Sequence, residues 1–132
     1  MTPSPELRQQ LQDMLSKAYR SIASAKREID AENYDFASSR AYFSAFYAVE
    51  ALLLTKDITC STHSGALSEF SKQFVATGLL PRDFGKRIAR LFRERQTGDY
   101  DFGGSIEKTD AEEDLRHAET ILKAAEIHLE SE

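Results

Sequence analysis

Arg95 is the residue from which chemistry can be argued. Phe84, Ile88 and Leu91 step by four and three, and Arg95 takes the next place in that apolar stripe. A guanidinium on an apolar face is costly unless it is paired, because its lost hydration must be replaced by hydrogen bonds. Asp99 follows four residues later, with Tyr100 beside it. One account is structural: the helix ends here, and Arg95 sits near solvent and pairs with Asp99 at the negative end of the dipole. The other is a phosphate or nucleotide site, since a planar two-pronged donor suits phosphate oxygens and Tyr100 adds a polar aromatic.

The surrounding charge bears on that choice. Arg82, Lys86, Arg87, Arg90, Arg93 and Arg95 stand against Asp83 and Glu94, a local net of +4. From Asp99 onward eleven acids face three bases, a net of −8. A basic helix in an acidic chain either complements an acidic neighbour or forms a phosphate track through Arg90 and Arg93 to Arg95. Arg40 is a further phosphate-binding candidate, unless it snorkels from its apolar helix or pairs with Asp35.

Several other chemistries fail on spacing. Gly103, Gly104, Lys108 and Thr109 do not make a phosphate-binding G-x-x-x-x-G-K-[ST] loop. His63, His117, His128 and Cys60 lack zinc spacing, and no metal or other cofactor is expected. Asp99 and Asp101 read as a solvated turn rather than a magnesium site. Cys60 has no evident base, and His63 reads as a helix-start histidine making local hydrogen bonds.

The elements that must position Arg95 are helical throughout. Leu7, Leu11, Leu15, Ala18, Ile22, Ala25 and Ile29 mark one face of a long first helix, opened by Ser4 and Pro5. Residues 36–54 are apolar or small on nearly every side, so that helix must be covered all round by neighbours or by another subunit. Ser61 or Thr62 caps a third helix burying Leu67, Phe70 and Phe74, with Gly78 as its stop. Pro81 opens a fourth helix and Gly98 ends it. Thr109 and Glu112 form a capping box before the stripe Ala111, Leu115, Ala118, Leu122, Ala125 and Leu129. The expected fold is all-α: one domain over residues 1–132, an antiparallel bundle of four long helices plus a shorter one.

Composition sets the outer limits. With 132 residues, a net charge of −5 and one cysteine, the chain can bury a core without disulfides. The opening MTPSPELRQQ offers no apolar signal segment, and no run approaches the ~20 residues of a membrane span. A soluble cytoplasmic protein is expected. The acidic balance excludes a general nucleic-acid coat but not a small phosphate site.

Three blocks carry a resemblance: RAYFSAFYAVEALL (40–53), STHSGALSEF (61–70) and LFRERQTGDYDF (91–102). In order and spacing they resemble small prokaryotic HEPN-domain proteins, over almost the whole chain. The resemblance implies a helical bundle, commonly a homodimer with its site between subunits. Many such proteins are ribonucleases and toxins of toxin–antitoxin pairs. Their partner is typically a minimal nucleotidyltransferase, which in some pairs attaches AMP to a tyrosine near the motif. Carried over, the motif is Arg95 with Asp99 and Tyr100, and Tyr100 is the candidate modified residue.

One departure matters. The family's ribonuclease signature is an arginine and a histidine separated by four to six residues. After Arg95 those places hold Tyr100, Asp101 and Phe102, and after Arg93 they hold Gly98, Asp99 and Tyr100. This chain has R-x-x-x-D-Y instead. For metal-independent RNA cleavage, Asp99 is then the candidate proton acceptor, Tyr100 the donor and Arg95 the stabiliser of charge at phosphorus. The functional expectation is a module that binds a nucleotide or RNA phosphate and pairs with a nucleotidyltransferase. An active endoribonuclease and a purely structural dimer are the alternatives.

Overall fold

The computed structural model describes residues 3–131. Five α-helices follow in order: α1 (Pro5–Asp30), α2 (Tyr34–Leu54), α3 (His63–Phe70), α4 (Phe84–Tyr100) and α5 (Lys108–Glu130). No strand occurs among the described residues. The expected bundle of four long helices and a shorter one is what the chain forms.

Helix α1 starts where Ser4 and Pro5 place it, with the Ser4 hydroxyl accepting from the Leu7 N–H at 3.1 Å. It closes through Glu32 at φ +64, which lets the Asn33 N–H reach the Glu28 carbonyl at 2.8 Å. That tight reversal lays α2 antiparallel on α1. Ala18 and Ala25 on α1, and Ala41, Ala45 and Ala48 on α2, are fully buried. With so little side chain along these faces the helices approach closely, and the Ser21 hydroxyl donates to the Arg40 carbonyl at 2.7 Å. Helix α2 packs against α1, α3, α4 and α5, as its all-round apolar character requires. One stripe stays uncovered: Phe36 and Arg40 are exposed, and Phe43 and Tyr47 are half-buried.

Helix α3 begins at His63, capped by Thr62, whose hydroxyl accepts from the Gly65 N–H at 3.0 Å. It runs into one wider turn over Ser71–Val75, where the Ala76 N–H reaches back five residues to Ser71. Phe70 and Phe74, four residues apart, are both buried. Gly78 follows at φ +79.

Three boundaries differ from the sequence reading. Pro81 lies in the approach to α4, which starts at Phe84. Gly98 does not end α4 but lies inside it, facing the start of α2, where a Cβ would sit in ordinary contact 3.4 Å from Asp35. Helix α5 is opened by Glu107 and Asp110, not Thr109 and Glu112. The Asp110 carboxylate accepts from the Glu107 N–H at 3.0 Å, which brings Thr109 into the first turn.

Candidate functional site

The last turns of α4 lie over the middle of α2. Ile88 and Leu91 are buried there, and Arg95, one turn on, reaches the same side. Its guanidinium carbon sits 5.1 Å from the ring centre of Phe43 and 5.6 Å from that of Tyr42. Both rings offer their electron-rich faces to the cation. Arg95 Nε lies 2.8 Å from an Asp99 carboxylate oxygen, but its N–H is not aimed at that oxygen. The pair is therefore a contact of charges, and the buried Nε–H makes no hydrogen bond among the described residues. The side chain is 27% exposed. The two sequence accounts of Arg95 thus meet: it pairs with Asp99, yet it sits on aromatic faces with a donor left over.

A histidine completes the arrangement. His63, the first residue of α3, stacks on Phe46 at 4.0 Å with the planes 11° apart. Its Nδ1 lies 2.7 Å from the hydroxyl of Tyr42, which is itself fully buried. Burial and then the Arg95 charge push the His63 pKa below its ordinary value, which favours the neutral ring. Burial raises the Tyr42 hydroxyl, against the pull of Arg95, and it keeps its proton. Arg95, Asp99, Tyr42, Phe43 and His63 therefore form one cluster drawn from α2, α3 and α4. His63 was read from the sequence as a helix-start residue with local bonds. Thr62 does cap that helix, but the capping signal carries no trace of a tyrosine 21 residues away.

The other expected site residues are dispersed. Tyr100 is 80% exposed and Phe102 96% exposed, and neither makes a ring contact among the described residues. Arg93 is exposed on α4. Arg90 turns to α5: its Nε meets Asp114 at 3.0 Å, and its Nη2 meets Glu94 at 3.1 Å, Glu113 at 3.4 Å and Asp110 at 3.7 Å. Arg87 likewise reaches Asp83 at 2.9 Å and the Nδ1 of His117 on α5 at 2.9 Å. This part of the basic helix complements the acidic one. Arg40 lies across α2 in a shallow cleft with Lys17, Arg20 and Tyr47. No group of His, Cys, Asp and Glu suited to a metal ion occurs among the described residues.

Small all-helical domains that fix one arginine on the inner side of a late helix are the class this fold and site define. The chain belongs to the HEPN domain family, whose model matches residues 11–128. It is 38% identical to "Putative toxin MJ0142" of Methanocaldococcus jannaschii, over 92% of this chain and 83% of that protein. It is 37% identical to a UPF0332 protein of Thermotoga maritima, over 86% of each. The fold is shared with TT1696 from Thermus thermophilus at a TM-score of 0.75 and 22% identity, covering 88% of this chain and 95% of that one. ST0689, an archaeal HEPN homologue, superposes at 0.70 with 23% identity, covering 89% and 96%. Among the described residues no helix is long and apolar enough to cross a membrane.

Proposed function

We propose that this chain is a toxin-like HEPN module that holds a phosphate of single-stranded RNA at Arg95, and that a minimal nucleotidyltransferase restrains it by modifying Tyr100. The observation that carries the phosphate site is the Arg95 guanidinium, seated on the faces of Phe43 and Tyr42 with Asp99 close but misaligned. A cation held by ring faces is fixed without engaging its N–H donors, and those donors suit phosphate oxygens. The exposure of Tyr100 supports its part, because a transferase must reach the hydroxyl. The toxin name borne by relatives supports the biological setting.

The test is binding of a fluorescein-labelled single-stranded RNA, followed by anisotropy, to the wild-type chain and to Arg95→Ala. A charge-assisted hydrogen-bond pair is worth about 1.5–3 kcal/mol, so Arg95→Ala weakens binding by about 10- to 100-fold. Equal affinity of the two proteins rejects the site. Incubation with a nucleotidyltransferase and ATP adds the mass of AMP to the wild type and not to Tyr100→Phe; an equal gain in both rejects Tyr100 as acceptor.

A second reading, cleavage of the bound RNA, is favoured by one specific observation: His63 packs on the same Phe43 ring that seats the Arg95 guanidinium.

A further inference from the structure

We infer that the cleft between α1 and α2 formed by Lys17, Arg20 and Arg40 is a second anion site, which holds a neighbouring phosphate of the RNA strand bound at Arg95. The inference rests on the phosphate-binding reading of Arg95 and adds where the strand runs beyond it. Lys17, Arg20, Ser21 and Ser24 line the cleft from α1, and Arg40 and Tyr47 from α2, around a volume of about 170 Å³. No carboxylate among the described residues lines it. Lys17, Arg20 and Arg40 are all exposed, and none of them makes an ion pair among the described residues.

The fold itself gathers these charges. Ala18 and Ala25 on α1, and Ala41 and Ala45 on α2, are fully buried and let the two helices approach closely. The Ser21 hydroxyl donates to the Arg40 carbonyl at 2.7 Å and ties the helices together at the cleft. Lys17 and Arg20, three residues apart on one face of α1, thereby meet a third cation across the helix pair. Like charges held this way repel, and an anion in the cleft relieves the repulsion. Elsewhere the fold neutralises its cations. Arg90 meets the acids of α5, and Lys26, further along α1, meets Glu119 at 3.5 Å. The carboxyl that feels Lys17 is that of Glu50, which lies outside the cleft and whose ionised form burial disfavours.

An unbroken line of contacts joins the cleft to Arg95. The Lys17 ammonium lies 4.8 Å from the centre of the Tyr47 ring. Tyr47 lies 5.9 Å from Phe43, with the planes 34° apart. Phe43 in turn seats the Arg95 guanidinium at 5.1 Å. Two cationic sites are thus bridged by two half-buried rings on the open stripe of α2. That combination suits a single strand, which places phosphates on the cations and unpaired bases on the rings. Phe36, 59% exposed and one turn before Arg40, extends the stripe. An acidic polypeptide would satisfy the cations and leave the rings unused, so the neighbours of the cleft favour RNA.

The experiment uses fluorescein-labelled single-stranded RNAs of two and eight nucleotides, read by anisotropy. The proteins are the wild-type chain, Arg20→Gln/Arg40→Gln and Arg95→Ala. Both glutamines stand at exposed positions, and glutamine is about as good a helix former as arginine. Wild type should bind the longer RNA more tightly, through the second contact. The cleft variant should lose about 10-fold on the longer RNA, keep the shorter within about twofold, and show a salt slope smaller by about 0.7. Arg95→Ala should weaken both lengths. Lys72→Gln/Arg116→Gln removes two exposed cations that do not line the cleft and should bind as wild type does; a loss equal to that of the cleft variant would reduce the effect to net charge and overturn the proposal. An unchanged affinity of the cleft variant for the longer RNA, or an equal loss for both lengths, overturns it too, while weakening by Arg95→Ala leaves the Arg95 site standing. Poly-glutamate that displaces the labelled RNA as well as unlabelled RNA does overturns the assignment to a nucleic acid. Full binding by Arg95→Ala with loss in the cleft variant overturns the reading of Arg95 instead. Failure of wild type to bind either RNA overturns both.

Discussion

Replacement of Asp114 by asparagine tests how α4 is anchored before it delivers Arg95. Asp114 is fully buried on α5. One carboxylate oxygen accepts from the Ser38 hydroxyl of α2 at 2.7 Å, and the other from Arg90 Nε of α4 at 3.0 Å. Burial pushes its pKa up to about 6 from 3.8, outweighing the two hydrogen bonds that favour the ionised form. In the unfolded chain the group titrates near its ordinary value, so between about pH 4 and pH 6 the folded state holds a proton that the unfolded state has lost. Stability from this group is therefore complete below the unfolded pKa and falls as pH rises through the folded one. A little over two pH units at about 1.4 kcal/mol each gives about 3 kcal/mol. Asparagine does not titrate; its oxygen can face Arg90 and its amide can donate to Ser38. The advantage of wild type over Asp114→Asn should thus shrink by about 3 kcal/mol between about pH 4 and pH 7. Urea unfolding of both proteins across that range reads it directly, since titrations common to both cancel. A difference that stays flat, or grows with pH, would show that Arg90 holds the carboxylate ionised and that burial does not dominate.

Two further outcomes follow from the same geometry. Gly98→Val puts branched carbons against Asp35, whose atoms already lie 3.4 Å from where a Cβ would be; it should lower stability by about 1–3 kcal/mol and weaken RNA binding, whereas Gly98→Ala should leave both nearly unchanged. Salt should weaken RNA binding with a log–log slope of about −0.7 per phosphate held. A slope of about −0.7 to −1.4, one or two phosphates, fits a site centred on Arg95, and a slope near about −3.5, some five phosphates, would shift the interaction to the exposed cations of α4.

The fold was largely legible because its signals are local. The Ser4–Pro5 start, the three- and four-residue apolar steps and the all-round apolar second helix each depend on neighbours within a turn or two. Two features escape because a distant partner outweighs the local signal, whereas the starts of α4 and α5 are shifts of two or three residues between competing local caps. Gly98 reads as a helix stop until Asp35 is found beside it. Asp114 falls between the apolar positions Ala111 and Ala118, and nothing in the sequence says that Ser38, 76 residues earlier, will meet it. Arg95 could be singled out because a charge on an apolar stripe violates a rule that local sequence expresses. His63 violates none, and its placement rests on Tyr42 and Phe46, which sequence alone places in a core or a dimer.

The +4 charge of residues 82–95 conceals two different uses of arginine. Arg87 and Arg90 face α5 and meet carboxylates and a histidine, four acids in the case of Arg90. Their donors are engaged, their charge is neutralised locally, and they contribute little field elsewhere. Arg95 faces α2, where the partly desolvated guanidinium is stabilised by the ring faces of Phe43 and Tyr42 with a single carboxylate beside it. Stabilisation by a ring quadrupole acts on the charge and consumes no N–H. Helix α4 thus anchors itself with Arg87 and Arg90, whose donors are taken, and holds Arg95 on the aromatic rings instead. Reversing this by a carboxylate in place of Phe43 would secure Arg95 more firmly in the fold and remove it from phosphate chemistry. Phe43→Glu should accordingly abolish RNA binding through a charge that pairs with Arg95 and repels the phosphate, while Phe43→Tyr, which keeps the ring, should bind as wild type does.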